Sequence, residues 1–277
     1  MPINSKAIKN RIKSVDSTLH MAKAMELVAS SKMRRATERM MSCRNYADAM
    51  SEAFAGIDLG ECFDSVYVAQ RQQKRICIIS VAGDRGLAGG YNNNIYKKTA
   101  EIAQGKDAHI YAIGKRACEY FRRHGYSVSD ESVYRVEDYE TSDIAKTARS
   151  LAKAYRDGEF DALYIVYTRY VSALSQEPCA KKLLPLTQPE HKASAMAEFE
   201  PSAASVLDAV VPEYLSGLIC GAVREGYLCE LCARRNAMSN AEQNASEMIE
   251  KLSLQYNRAR QGAITQEITE IVAGSDA

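Results

Sequence analysis

The chain has 277 residues, of which 46% are apolar and 26% charged, and its formal net charge is +1. This composition is typical of globular proteins and excludes a disordered chain, and the near-neutral charge argues against a bulk nucleic-acid binder. The first ten residues carry Lys6 and Lys9 and no apolar block follows them, so we expect no signal peptide. No apolar run of about 20 residues occurs in the sequence, so we expect no segment that spans a bilayer.

The cysteine usage predicts reduced thiols in a cytosolic protein, because the eight cysteines are scattered along the chain. Only Cys229 and Cys232 form a tight pair, and their spacing makes them neighbours on one side of a helix. A zinc site would need a second pair or nearby histidines. We therefore predict no metal site and no cofactor.

The first predicted element is a helix from Ile3 to Ala55, a stretch that contains no glycine or proline. Its apolar residues recur at steps of three or four, which places them on one side of the helix. These residues are Ile8, Ile12, Val15, Leu19, Ala22, Met25, Ala29, Met33, Ala36, Met40, Cys43, Ala47, Met50 and Phe54. The charged residues are mainly basic and densest at Lys32, Arg34 and Arg35, which either face solvent or meet acidic loops of another chain.

The middle of the chain alternates short β-rich runs with helical stretches, which predicts an α/β domain with a mainly parallel sheet. Strands are expected at 75–82, 109–113, 126–128, 161–169 and, as an edge strand, 180–186. Helices are expected at 93–104, at 115–124 and from an N-cap at Ser142 to Tyr155. A glycine-rich turn, Gly83–Asn92, follows the first strand.

The last predicted element is a helix from Val206 to Val272, with Pro212 in its first turn. At about 60 residues it would be roughly 90 Å long, too long to be covered by an ordinary small domain. We predict that it forms a two-stranded antiparallel coiled coil with the first helix, the alternative being two separate long helices in a bundle. The resulting domains are 1–56, 57–73 (a connection), 74–186, 187–205 (a linker) and 206–277.

The glycine-rich turn raises the alternative of a nucleotide-binding α/β enzyme with a coiled-coil handle, because phosphates bind at such turns. Gly83, Gly86, Gly89 and Gly90 do not fit G-x-G-x-x-G, and no Walker loop is present. No catalytic set can be argued from residue spacing. The residues themselves therefore favour an interaction protein over an enzyme.

Three stretches resemble the signatures of one family. The segment Lys23–Ala36 closely resembles the N-terminal signature of the gamma subunit of bacterial rotary (F-type) ATP synthases. Asp84–Asn92 looks like the family's central glycine loop, and Tyr256–Val272 is similar to its C-terminal signature. The three motifs stand in the family's order and spacing, and the resemblance extends from about Ile8 to Gly274.

The resemblance implies a Rossmann-like α/β domain flanked by antiparallel N- and C-terminal helices. It implies a non-catalytic central shaft that couples transmembrane proton or sodium flow to the conformational cycle of the beta catalytic sites. The expected partners are the alpha and beta subunits, the epsilon subunit and the membrane c-ring, with no nucleic acid and no homo-oligomer. The expected place is the cytoplasmic face of the bacterial membrane, as a peripheral part of the ATP synthase complex.

The resemblance also implies which residues meet the beta subunits. These residues are Arg234, Gln261, Thr265 and Glu267, with Lys23 and Met25 opposite them, then Arg85 and Ala88 in the glycine loop, and Lys32, Arg34 and Arg35. The chain departs from the family pattern at Leu231, where a polar residue is frequent, and at Arg235, where methionine is usual. Ala88 replaces a frequent cysteine. These departures weaken any inference about how coupling is tuned.

Overall fold

The structure is a computed structural model that describes residues 5–55, 59–62, 65–133, 135–187 and 202–275. The chain divides into two compact units. The larger unit runs from Ser31 to Ala233, and the smaller one combines the residues up to Ser30 with those from Arg234 onward. Most of the predicted linker, residues 188–201, lies outside the described ranges.

The described elements confirm the predicted fold class, a mainly parallel sheet with long terminal helices. Their bounds are α1 Ser5–Ala55, a 3-10 turn Leu59–Cys62, β1 Arg75–Val81, α2 Tyr91–Ala103, β2 Asp107–Ile113, α3 Lys115–Arg123, β3 Ser127–Val128, α4 Thr141–Arg156, β4 Ala162–Tyr170, β5 Gln176–Leu184 and α5 Ala203–Ser275. Helix α4 begins one residue before the predicted N-cap Ser142.

The sheet has the order β3-β2-β1-β4-β5, in which β5 alone is antiparallel to its neighbour. Strand β5 begins at Gln176, earlier than predicted, and Pro178 pairs in register with Thr168 of β4. Proline is tolerated there because β5 is an edge strand, and its missing N–H can face away from β4. Pro178 therefore does not limit the strand as the sequence suggested.

The two faces of the sheet are covered by different helices, because successive strand side chains point to opposite faces. Ile76 and Ile78 of β1 lie in one buried cluster with Ile95 of α2 and Phe121 of α3. Alternate residues of β1, such as Ile79, lie in a second cluster formed with the 3-10 turn, α4 and α5.

The start of α5 corrects the prediction that Pro212 lies in the first turn of this helix. The helix begins at Ala203 and runs through Pro212. Leu207, Val211 and Leu215 are fully buried in the second cluster on both sides of the proline. Burial of this apolar face offsets the cost of about 3 kcal/mol that a proline imposes inside a helix.

Within the larger unit, α1 and α5 pair in antiparallel directions. Ala36 and Met40 share a buried cluster with Leu228 and Leu231. Further along α1, Phe54 stacks on Tyr214, with ring centroids 4.3 Å apart. Residue numbers therefore fall along α5 as they rise along α1, as the predicted antiparallel arrangement requires.

The smaller unit contains the start of α1 and the end of α5. The predicted apolar side of α1 is the covered one here, since Ile8, Ala22 and Ala29 are buried. On α5 the buried residues include Met238, Ala245 and Leu252, and these too belong to the predicted stripe. Two of the three buried α1 residues are alanines, whose small side chains permit close approach of a neighbouring helix.

A stretch of α5 is apolar and long enough to cross a membrane by composition alone, and half of that window is buried in the protein. The search of the sequence for an unbroken apolar run did not identify this stretch, because polar residues interrupt it. The same composition is typical of the core helix of a soluble protein. Ile219 and Val223 of this helix are fully buried in the second cluster.

Candidate partner-binding surfaces

The glycine-rich loop connects β1 to α2 and is held by its own side chains. The Gly83 N–H donates to Asn92 Oδ1 at 2.8 Å, and Asn92 Nδ2 donates to the Arg85 carbonyl at 3.2 Å. Leu87 and Gly89 adopt positive φ angles of 61° and 57°. Glycine takes this conformation readily, whereas leucine does so rarely, so the surrounding contacts fix the path of the loop.

Asp84 ties this loop to two others. Its carboxylate accepts from the Val136 N–H at 3.0 and 3.1 Å and from the Lys115 N–H at 3.3 Å. Burial raises the pKa of Asp84, and these backbone donors oppose that rise. Asp84 belongs to the family's glycine-loop signature, but no role for it follows from the sequence. In the structure Asp84 joins the glycine loop to the start of α3 and to the segment before α4, at the carboxyl-terminal edge of the sheet.

The crevice beyond β1 and β4 is filled by α5. In open α/β sheets ligands bind at such a switch point in strand order. Here Glu225 Oε1 accepts from the Tyr170 N–H at 2.8 Å, and the Tyr91 hydroxyl donates to the Gly226 carbonyl at 2.8 Å. The carboxyl of Glu230 takes the space beside Gly83 that a Cβ would need. This packing counts against the nucleotide-enzyme alternative.

Ala88 is buried, whereas the residues around it face outward. Its side chain is 3% exposed and lies in a cluster with Tyr91 and Cys229. The buried methyl group of Ala88 offers little surface of its own, and the expectation that Ala88 lies beside a beta subunit stays a prediction. Arg85 and Leu87 are the exposed side chains of this part of the loop.

The basic segment of α1 divides into paired and outward-facing cations. Lys32 Nζ contacts both carboxylate oxygens of Glu137 at 2.7 and 2.8 Å. Arg34 lies 3.9 Å from Glu38 one turn along the same helix, and Arg35 is exposed. The segment therefore presents two exposed guanidinium groups, while Lys32 is engaged within the chain.

The remaining predicted residues lie in the smaller unit. Lys23 approaches Glu242 at 3.8 Å, and Met25 is half-buried. Arg234 is only 8% exposed, while Gln261 and Thr265 are exposed, and the Thr265 hydroxyl donates to the Gln261 carbonyl at 3.0 Å. Glu267 lies in α5, but its side chain is outside the described ones.

The far end of α5 carries an apolar side that the described residues leave open. Ile264, Ile268 and Ile271 are 43%, 57% and 71% exposed. Their spacing of four and three residues places them on one side of the helix. Exposed apolar surface of this kind marks a site for another protein more often than a free surface.

No group of three or more potential metal ligands occurs among the described residues. Cys229 and Cys232 are both buried on α5. Burial raises the pKa of Cys229, which disfavours the thiolate that metals bind.

Known proteins match nearly the whole chain. A family model described as ATP synthase matches residues 4–277. The ATP synthase gamma chain of Ruminococcus albus is 42% identical over 98% of both chains. That of Caldicellulosiruptor saccharolyticus is 38% identical over 98% of this chain and 97% of its own. The chain belongs to the ATP synthase gamma family.

Solved structures of distant proteins share the fold. A chain of the Euglena gracilis mitochondrial ATP synthase (OSCP/F1/c-ring) is 16% identical, with a TM-score of 0.68 over 98% of this chain and 93% of its own. A chain of the Tetrahymena thermophila mitochondrial ATP synthase central stalk and c-ring is 20% identical, with a TM-score of 0.60 over 80% and 99%. These structures show a shared fold, whereas the family model and the relatives confirm the family resemblance drawn from three short motifs.

Proposed function

We propose that this gamma-family chain is the central shaft of an ATP synthase catalytic head. In this role it turns inside a ring of alpha and beta subunits and couples proton or sodium flow to the conformational cycle of the beta catalytic sites. It carries no catalytic residue itself. The full-length family match is the observation that carries the proposal, and the packing of α5 in the crevice supports it over the nucleotide-enzyme alternative.

The far end of α5 supplies the surface for the ring. Its open side of Ile264, Ile268 and Ile271 is apolar, and no Lys or Arg occurs from Ile264 to the end of the sequence. An apolar bearing offers few directional hydrogen bonds that would hold the shaft at one angle. The surrounding ring of subunits should therefore offer little resistance to rotation of the shaft.

The partner contacts follow from charge and exposure. Arg234, Gln261, Thr265 and Glu267 are proposed to bind a loop of one beta subunit, with Lys23 and Met25 on the opposing helix tuning the coupling. Exposed Arg34, Arg35 and Arg85 are proposed to meet an acidic segment of beta. Lys32 and Ala88, which lie beside these residues, are proposed to belong to the same contact with beta. The epsilon subunit and the membrane c-ring complete the set of partners, at the cytoplasmic face of the membrane.

Co-purification tests the proposal. The tagged chain, expressed in its native cell, should recover alpha- and beta-type ATPase subunits in a complex that hydrolyses ATP. The isolated chain should bind ATP and ADP negligibly in equilibrium dialysis. Saturable nucleotide binding by the chain alone, together with no recovery of ATPase subunits, would replace the shaft with the enzyme alternative.

A further inference from the structure

Two thiols from different helices meet inside the larger unit. Cys43 of α1 and Cys220 of α5 have their Sγ atoms 2.6 Å apart, and both cysteines are free. A bond between these sulfurs needs only a small adjustment of the two side chains. Cys229 and Cys232 offer a contrast, because both lie on one helix and both are buried.

Small residues of α5 bring the two helices this close. A Cβ added at Gly221 would lie 3.8 Å from the Cβ of Ala47 on α1. One added at Gly217 would lie 3.0 Å from the ring of Tyr46. The two glycines are one turn apart and lie on either side of Cys220 in the sequence, so the thiol contact is built into the helix pair.

The surroundings of the pair favour thiolate chemistry at Cys43. The hydrogen bond from Cys220 and the nearby positive charge of Arg224 lower the pKa of Cys43 below its ordinary value, against the effect of burial. Arg224 is held in place by donating to the Tyr139 carbonyl at 2.8 Å. Cys43 is half-buried and Cys220 buried, so an oxidant reaches Cys43 first.

We propose that Cys43 and Cys220 form a reversible redox site that links α1 to α5 by a disulfide when a small-molecule disulfide such as oxidised glutathione accumulates. The Cys43 thiolate attacks one sulfur of glutathione disulfide and releases one glutathione thiolate, which takes up a proton. Cys220 then loses its proton and attacks the Cys43 sulfur, releasing the second glutathione. Two protein thiols are oxidised, and one glutathione disulfide is reduced to two thiols.

The bond would act on the stability of the helix pair. It joins residues that are 177 positions apart in the sequence. Closing a loop of this size restricts the unfolded chain strongly. The oxidised protein should therefore resist unfolding better than the reduced protein, and a thiol reductant should reverse the difference.

Peptide mapping of the full-length chain tests the site. The reduced protein is incubated with oxidised glutathione, free thiols are alkylated, and the digest is analysed without reduction. A linked Cys43–Cys220 peptide is expected as the main product, lost in Cys220→Ser, where Cys43 should carry glutathione instead. The double variant Cys229→Ser with Cys232→Ser should form the same link. Stable glutathione on Cys43 of the unaltered chain, or no reaction at Cys43, would overturn the proposal.

Urea unfolding of the unaltered chain provides a second measurement that needs no variant to fold. The oxidised form should have a higher midpoint than the same sample after reduction. Equal midpoints in samples that contain the linked peptide would overturn the proposed effect on stability.

Discussion

Lys32 on α1 donates to both carboxylate oxygens of Glu137, at 2.7 and 2.8 Å, and so links this helix to a loop of the larger unit. Glu137 lies in the segment before α4, close in sequence to Val136, whose N–H binds Asp84 of the glycine loop. The pair therefore connects the basic segment of α1 to the region that holds the glycine loop. Both side chains remain about two-fifths exposed, at 41% and 43%.

Replacing Glu137 by Gln should reduce stability modestly at neutral pH. The hydrogen bond from Lys32 lowers the pKa of Glu137 below its ordinary value of 4.5. Its contribution is therefore present above that value and lost as pH falls through the lower pKa of the folded state. We expect a loss of about 0.2–1 kcal/mol at pH 7, the range for exposed ion pairs, measured by urea unfolding from pH 7 to pH 3.

The control for this prediction is Glu52→Gln, at another exposed glutamate of the larger unit. It should change the free energy of unfolding by less than the Glu137 variant at pH 7. A Glu137→Gln deficit that stays constant down to pH 3 would show that the ion pair is not its origin.

Gly83→Ala should destabilise the chain, whereas Gly86→Ala in the same loop should not. A Cβ at Gly83 would lie 2.6 Å from the carboxyl carbon of Glu230, which is buried and has little room to move. At Gly86 the nearest atom, on Arg116, is 3.9 Å away. We expect a loss of about 1–3 kcal/mol for the first variant, measured by thermal and urea unfolding. Equal effects of both variants would contradict the described packing of Glu230.

Charges placed on the open side of α5 should disrupt assembly. Ile268→Asp combined with Ile271→Asp would put two carboxylates where the proposed sleeve needs apolar surface, and burying unpaired charge is costly. We expect at least a tenfold loss of alpha and beta subunits in co-purification. Val171→Asp with Leu174→Asp, at two exposed apolar residues between β4 and β5, is the matched control and should retain them. Full recovery with the double variant would argue against an apolar bearing at this end.

Removing the exposed guanidinium groups of Arg34 and Arg35 on α1 should weaken the proposed contact with beta without unfolding the chain. Arg34→Ala with Arg35→Ala should lower the ATPase rate of the complex several-fold and flatten its dependence on salt, because exposed charges act through screened attraction. Lys97→Ala with Arg123→Ala removes two exposed cations from α2 and α3 as a control. Equal salt dependence in both double variants would refute a contact of this segment with acidic partner residues.

Periodicity predicted the long helices and the strand alternation well, because both depend on local apolar spacing. It could not foresee that α5 continues through Pro212, since this depends on the buried faces of Leu207 and Val211 around it. The motifs located the glycine loop but not the orientation of Ala88, which packs on Cys229 far along the chain. Glu230 and Glu137 were missed for the same reason, since their partners are distant in sequence.

The most direct test of the central claim is rotation. A bead is attached through Leu174→Cys, at a side chain that is 81% exposed in the loop before β5, in a surface-held complex of this chain with alpha and beta subunits. The unaltered chain, whose own cysteines are buried or half-buried, serves as the control and should bind no bead. The shaft account predicts that the bead turns in one direction when ATP is supplied and stops when ATP is removed. A bead that stays still on a complex hydrolysing ATP at its normal rate would contradict it.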